Sequence, residues 1–577
     1  MKEKNLDTKE KYNKKNQKNS KFKNMLKKDI NINVDVNFSI IAVILIIIFC
    51  ICITPIKFQN DTYYTIKIGE YIRNYGIDMM DHFSWHEGLN YTYPHWLYDF
   101  CTYMVYSVAG FNGIYFMTCL LSVILGLSIF FVNDKLNKTK AISFAVTIGA
   151  MYMLKDYVTA RAQLVTFILF IWEIFCIEKI LQNKKIFYGL ILIIISLLIA
   201  NLHVATWPFF FILFLPYIAE YFISIISDAI IYRKIRLLIL KIKIKIFDKK
   251  GRDTKVLHKF LKKVESEVSK IKIKREKEKS NPYKITINKN KNIKFLIIIM
   301  IICILMGLFT PIGDTPYTYL YKTMKGNTTQ SISEHLPLTL IKSTNTMCAL
   351  VIFLAILIFT KVKIRLSDLF MITGLCYLML STRRQISMFT LIGSVILTRL
   401  IVDLINRYTK NGMRIAEESV KNILVILSIS VFIGVIGYGF IKPKFGDEFV
   451  DSGSYPVKAC DYILENMDLE DVRFYNEYNY GSYMLFRGIP VFIDSRADLY
   501  APEFSGNPEK DIFSDFIETS GMNKFYEEIF NKYDITHVIL SKKSKTYFVI
   551  NNTKDPNYKE LYSDDNFIIY ERINIDK

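Results

Sequence analysis

DTYYTIKIGEYIRNYGIDMMDHFSWHEGLNYTYPHW, residues 61–96, begins almost as soon as the apolar run at 38–55 ends. It places Asp61, Asp78, Asp81, His82, Glu87 and His95 where a membrane protein usually has only a short connector. An acid held against a low-dielectric surface either finds cations and donors or is kept for chemistry, because an unpaired charge there is costly. The stretch therefore decides two things together. The run before it is a membrane anchor, and the loop itself is a candidate functional surface.

The rest of the chain agrees. Of 577 residues, 51% are hydrophobic and 14% aromatic. On a criterion of roughly 17 to 25 residues, apolar segments that can span occur at 38–56, 111–132, 141–157, 162–179, 186–203, 205–226, 294–310, 346–360, 366–381, 385–404 and 421–441. They predict a polytopic α-helical membrane protein with eleven spans, and 97–110 reads as a further half-buried helix. The first run starts only after residue 37 and lacks a small-residue cleavage site, so it is expected to stay as an anchor. Of the nine cysteines, Cys50, Cys52, Cys119, Cys176 and Cys303 lie inside apolar runs and only Cys460 lies in the distal region. That distribution offers neither a disulfide framework nor zinc spacing.

Basic residues set the orientation. Residues 1–30 hold 11 lysines against 4 acids and 227–293 hold 22 Lys or Arg against 7 acids, so these two segments outweigh the whole-chain net charge of +20. The positive-inside rule puts both in the cytoplasm, together with the small loops carrying Lys135, Lys138 and Lys140, Lys184 and Lys185, and Lys361, Lys363 and Arg365. The expected organisation is a Lys-rich cytoplasmic tail at 1–37, a transmembrane domain at 38–441 and an external α/β domain at 442–577. The transmembrane part includes a first outer loop at 57–110 and a basic cytoplasmic loop at 227–293. This places the protein in the cytoplasmic membrane, multi-pass, with its N-terminus inside and its C-terminal domain extracytoplasmic. Lysines alternate with isoleucines from Lys241 to Ile246 without an aromatic stacking pattern or a nucleic-acid reading motif. Attraction to anionic lipids accounts for them, and nucleic acid is not an expected partner.

With this topology the polar ends of the spans share one side. They are Asp61, Asp81, His82 and His95 in the first loop, Arg161 in the next, then Asn201 and His203, Glu334 and His335, and Arg383 with Arg384. Helices packed in a bundle bring such loops within reach of one another. Arginines and histidines suit a phosphate or pyrophosphate leaving group at headgroup level while its prenyl or acyl tail stays in the bilayer. A carboxylate can then take the proton of an acceptor hydroxyl as that oxygen attacks an anomeric carbon, an inverting glycosyl transfer. Asp61 is the first choice for this base and Asp81 the second. His82, His95, Arg161, Asn201, His203, Glu334, Arg383 and Arg384 form the substrate- and phosphate-binding set. Carboxylates and phosphate could share a divalent metal ion, although no ligand set is strong enough to name.

Each of these residues also has a structural reading. Asp61 can cap a helix starting at Thr62, and His95 with Trp96 can anchor the next helix at the interface. Arg161, Arg383 and Arg384 can snorkel to headgroups, Asn201 and His203 can cap a helix, and Glu334 can pair with a neighbouring base.

The motifs Asp61-Thr-Tyr-Tyr-Thr-Ile-Lys-Ile-Gly-Glu-Tyr-Ile, Asp81-His-Phe-Ser, His95-Trp-Leu, Arg161-Ala-Gln-Leu, Asn201-Leu-His, Ile332-Ser-Glu-His-Leu-Pro, Arg383-Arg and Asn476-Glu-Tyr-Asn-Tyr-Gly-Ser-Tyr carry a resemblance. One span, an outer loop opening with an acid, many further helices and an external C-terminal domain resemble the GT-C superfamily of integral membrane glycosyltransferases. More closely, the motifs are similar to a largely uncharacterised group of bacterial multi-span proteins, nearly end to end. The resemblance implies a polyprenyl-phosphate sugar donor and an essential acid in the first outer loop. Many GT-C enzymes carry two acids one residue apart there, whereas Thr62 and Tyr63 follow Asp61; the alternatives are that Asp81 supplies a second acid from a distance or that the activity has been lost or changed.

The external region alternates predicted strands at 472–478, 490–494, 537–541 and 567–571 with helices near 455–467 and 511–532, which favours a mostly parallel sheet. Asn476, Asp494 and Arg496 then lie at strand ends, where open α/β sheets place ligand groups. The alternative for Asp494 is a turn held by an ion pair with Arg496, or a turn involving Asp498. The expected activity is transfer of a sugar from a polyprenyl-phosphate carrier to a glycan, polymer or protein acceptor on the outer face. A flippase for lipid-linked saccharide and a non-catalytic envelope-assembly scaffold are the alternatives.

Overall fold

The computed structural model describes residues 38–183, 185–226, 229–251, 253–278, 284–339, 341, 343–470, 472–507 and 510–573. The Lys-rich tail at 1–37, Lys184 and parts of the basic loop lie outside the described residues. Each of the eleven apolar runs falls on a helix. Among the described residues, four helices are long and apolar enough to cross a membrane: Trp96–Asn137, Val204–Ile225, Arg383–Tyr408 and Ile423–Lys444. Phe38–Ile53, Ile186–Leu202, Ile293–Leu308, Thr344–Phe359 and Leu366–Ser381 are shorter apolar helices.

A helix that is apolar on every side must bury one face in protein and offer the other to hydrocarbon. Phe38–Ile53 does this. Ala42, Ile46, Phe49 and Cys50 are buried in the bundle, while Ile40, Ile44, Ile48 and Ile51 form an exposed stripe at helical spacing. The basic loop contains two helices, Ala229–Lys249 and Lys255–Glu278, joined by an ion pair of Arg233 with Glu267 at 3.3 Å.

The bundle also encloses charge. Glu178, near the end of the helix Ala162–Asn183, accepts from Arg365 Nη1 at 3.0 Å and Arg399 Nη2 at 3.3 Å. Asp368 accepts from Arg365 Nη2 at 2.7 Å and Arg399 Nη1 at 2.6 Å, and the Tyr217 hydroxyl donates to Glu178 at 3.0 Å. Two acids thus share two guanidiniums, and four helical segments are tied together.

The helix Trp96–Asn137 is broken at Gly110, whose φ of 57° and ψ of −148° suit a residue without Cβ. The break lets the first part turn away from the bundle and pack on the helix Asn60–Tyr75. Gly69 makes that approach possible, since a Cβ there would lie 2.1 Å from the Asp99 carbonyl oxygen.

The first outer loop and the C-terminal region share one hydrophobic core, distinct from the core of the bundle. Tyr63 packs edge-on against Tyr455 and Tyr483, with ring centres 4.9 and 5.1 Å away. Trp85 Nε1 donates to the Phe474 carbonyl and His86 Nε2 to the Phe492 carbonyl, both at 2.9 Å. The C-terminal region is therefore built around the loop.

Its sheet differs from the expected one. The strands β3 (Phe474–Tyr475), β4 (His537–Ser541), β5 (Tyr558–Ser563) and β6 (Phe567–Arg572) lie in the order β3-β4-β6-β5, after a small pair formed by β1 (Ile285–Thr286) and β2 (Ile364–Arg365). Only β3 and β4 run parallel, and the other two pairings are antiparallel. The polar sequence of β5 hides it from an alternation search, and Asp564 closes the β5–β6 turn by accepting from the amides of Asn566 and Phe567 at 2.8 Å. Residues 490–494 form no strand of this sheet. The Asn476 side chain takes their backbone instead, accepting from Phe492 N at 2.8 Å and donating to Ile493 O at 2.7 Å. The stretch expected as one helix at 511–532 is two, Ile512–Gly521 and Tyr526–Lys532.

Candidate functional site

A cleft of about 560 Å³ opens between the helix ends and the C-terminal region, and Asp61, His95, Arg161, His203, Glu334, Arg384 and Arg496 all line it. The helix Asn60–Tyr75 begins one residue before Asp61, so Asp61 sits in the first turn rather than at the cap. Its side chain pairs with Arg161 Nη2. Arg161 ends a tight turn just before the helix Ala162–Asn183 and extends Nη1 to Glu334 Oε1 at 3.1 Å. Burial works against the guanidinium, but Asp61 and Glu334 beside it hold its pKa above the ordinary arginine value.

Glu334 reaches this point because residues 334–338 lie along residues 380–384. Arg384 N donates to Glu334 O at 2.9 Å, Arg383 N to Leu336 O at 3.0 Å and Leu338 N to Leu380 O at 3.1 Å. The pairing also brings His335 and Arg384 to the same wall. Burial, with Arg384 close by, pushes the His335 imidazole down to about 4, so it is neutral near pH 7. The Arg383 side chain lines a neighbouring recess of about 240 Å³ that shares Arg161, Glu334 and Arg384 with the cleft.

His95 stands at the N-cap position of the helix Trp96–Asn137, makes no side-chain cap bond, and has a buried partner one turn on. Its Nδ1 is 2.8 Å from both carboxylate oxygens of Asp99, and its Nε2 is 3.1 Å from the Tyr64 hydroxyl. The ring is thus held from both sides, by Asp99 at Nδ1 and by the Tyr64 hydroxyl at Nε2. The His203 ring lies 6.4 Å from that of His95, and its Nδ1 bonds the Thr166 hydroxyl at 3.0 Å.

The remaining expected residues lie elsewhere. Asp81 does not line the cleft. It is fully buried, accepts from Arg496 Nη1 at 2.6 Å and from the Ser84 amide and hydroxyl, and ties the outer loop to the C-terminal region. Burial alone would raise its pKa, but the Arg496 guanidinium holds it below the usual carboxylate value. His82 points away to Asp78, 2.6 Å from it. Asn201 holds helices together, accepting from Trp96 Nε1 at 3.1 Å and donating to Phe309 O at 3.2 Å. Asn476 is occupied by the backbone of 492–493. Asp494 is fully buried under Arg496 and the Tyr500 hydroxyl, so the ion-paired turn describes it better than a ligand position.

Several lining residues were not among the expected site residues, among them Tyr64 and Tyr478, and Asp498 was read only as part of a turn. Asp498 holds the segment 319–328 against the C-terminal region through the hydroxyls of Tyr319 and Thr328, the latter at 3.1 Å. Asp99 carried a usable signal, since an acid four residues after a histidine faces it on a helix.

No protein-family model matches the chain, and no curated protein matches its sequence. Solved structures do resemble it. The archaeal oligosaccharyltransferase AglB from Archaeoglobus fulgidus, in complex with an inhibitory peptide and a dolichol-phosphate, superposes with a TM-score of 0.50 at 11% identity, covering 93% of this chain and 74% of that one. The Archaeoglobus fulgidus oligosaccharyltransferase in the apo form gives a TM-score of 0.52 at 11% identity, covering 94% and 75%. The fold of this chain is thus similar to theirs.

Proposed function

We propose that this protein is a membrane glycosyltransferase that moves a sugar from a polyprenyl-phosphate carrier to an envelope acceptor on the outer face of the cytoplasmic membrane. The observation that carries the reading is the Asp61, Arg161 and Glu334 arrangement on the wall of a cleft that also gathers Arg384 and three histidines. The eleven apolar helical segments cross the bilayer, the N-terminus is cytoplasmic, and the cleft and C-terminal region face outward. Leu320 and Met324 line the cleft and are also exposed, so a prenyl tail can leave it toward lipid. The likeness to oligosaccharyltransferase structures supports a lipid-linked donor for the same fold.

In the proposed reaction the acceptor oxygen bonds to the anomeric carbon while the bond from that carbon to the phosphate oxygen breaks. Asp61 orients the acceptor and takes its proton, and the polyprenyl phosphate leaves with its charge held by Arg161 and Arg384. His95, His203 and His335 supply further donors and acceptors along the same wall.

The test is to incubate the purified protein with a panel of polyprenyl-phosphate sugars and measure release of free polyprenyl phosphate. Asp61→Asn is expected to reduce release by about 10²- to 10⁴-fold while carrier binding persists. Unchanged release by that variant refutes the role of Asp61. Carrier movement between leaflets without any glycosyl product would instead identify a flippase.

A further inference from the structure

We propose that Arg161 is the fixed cation of the cleft, standing between Asp61 and Glu334 where a divalent ion would otherwise bridge them, so that this pair takes no metal while Arg161 is in place. The two acids come from distant parts of the chain and meet only through this guanidinium, which gives Nη2 to Asp61 and Nη1 to Glu334. A hard divalent cation needs several oxygen ligands turned toward one point. Here the planar fork of an arginine takes Asp61 Oδ2 with one nitrogen and Glu334 Oε1 with the other, so a cation entering between the acids would have to displace the guanidinium. Among the described residues, no group of three or more His, Cys, Asp or Glu side chains could hold a metal ion.

A fixed guanidinium has two consequences. It keeps Asp61 oriented without a dissociable ion, and it offers a permanent positive charge to the departing phosphate. The second consequence rests on the glycosyl-transfer reading; the first does not.

The experiment is a Mn²⁺ titration of the purified full chain in detergent, following the electron paramagnetic resonance signal of free Mn²⁺. Wild type and Asp61→Asn are expected to give the same curve. Arg161→Ala is expected to bind Mn²⁺ at least about tenfold more tightly than wild type, and adding Glu334→Gln should remove that gain. Arg161→Lys, which keeps the charge, should behave as wild type. Mn²⁺ binding by wild type that weakens in Asp61→Asn overturns the proposal, as does the absence of a gain in a folded Arg161→Ala. Should Arg161→Ala fail to fold, Arg161→Gln carries the same two outcomes. Absence of any glycosyl product defeats the transfer reading and leaves the Mn²⁺ result standing. Where product is formed, a chelator should leave the rate unchanged, and a fall of about tenfold or more overturns the fixed-cation role.

Discussion

At one end of the helix Ala162–Asn183, Glu178 and Asp368 share Arg365 and Arg399 in a closed network, while at the other Arg161 is held between Asp61 and Glu334 at the edge of a cleft. The two sets of charges stand roughly 25 Å apart along one helix at 1.5 Å per residue. In the inner network acids and arginines balance, and the Glu178 and Asp368 side chains are 4% and 6% exposed. In the outer one Glu334 is 46% exposed, and Arg384 with three histidines stands close by. Acids buried under their cations hold helices together, whereas an acid half open at the edge of a cleft can meet a ligand.

Substitutions at the two ends should separate these roles. Arg399→Met leaves two buried acids with one guanidinium and is expected to cost about 3–5 kcal/mol in detergent unfolding. A neutral result would break the structural reading of the inner network. Arg496→Met should cost a similar 3–5 kcal/mol or so, because Asp81 and Asp494 both have no side-chain exposure. Limited proteolysis should then cut the loop around residues 78–90.

An intermediate effect concerns pH. Burial pushes His86 down to about 4 and Glu477 up to about 7, from ordinary values of 6.5 and 4.5. Between pH 6.5 and 4 the unfolded chain takes up a histidine proton that the folded one refuses, so His86 lowers stability on acidification. Between pH 4.5 and 7 the folded chain keeps a Glu477 proton that the unfolded one releases, so Glu477 lowers stability as pH rises. The two oppose each other and each is worth up to about 3 kcal/mol. Wild-type stability should therefore be nearly flat from pH 4.5 to 6.5, Glu477→Gln should fall toward acid, and His86→Phe should fall toward neutrality. Parallel pH profiles for all three would contradict both assignments. The smallest stability effect belongs to Glu334→Gln, less than about 1 kcal/mol for a half-exposed pair, although transfer should still decline.

Legibility in the sequence followed the range of the interactions. Apolar runs encode their own helices and were readable as such, and Gly110 falls where the half-buried helix was expected to give way to a span. Topology alone grouped Asp61, His95, Arg161, His203, Glu334 and Arg384, which the structure gathers around one cleft. It could not separate them from Asp81, His82 or Asn201, whose partners Arg496, Asp78 and Trp96 are set by tertiary packing. The sheet was misread because β5 is an edge strand with little alternation, and because an asparagine side chain replaces a strand neighbour at 492–493.

The core shared by residues 58–93 and 455–570 sets an order of events during synthesis. The loop leaves the ribosome early, yet Tyr63 and Trp85 find their partners only after some 400 residues more have been made. Such distant pairing is slow and leaves aromatic surface open in the meantime. The cleft cannot exist before both segments are made, so competence arrives in a single late step, when the later-made segment closes over the earlier one.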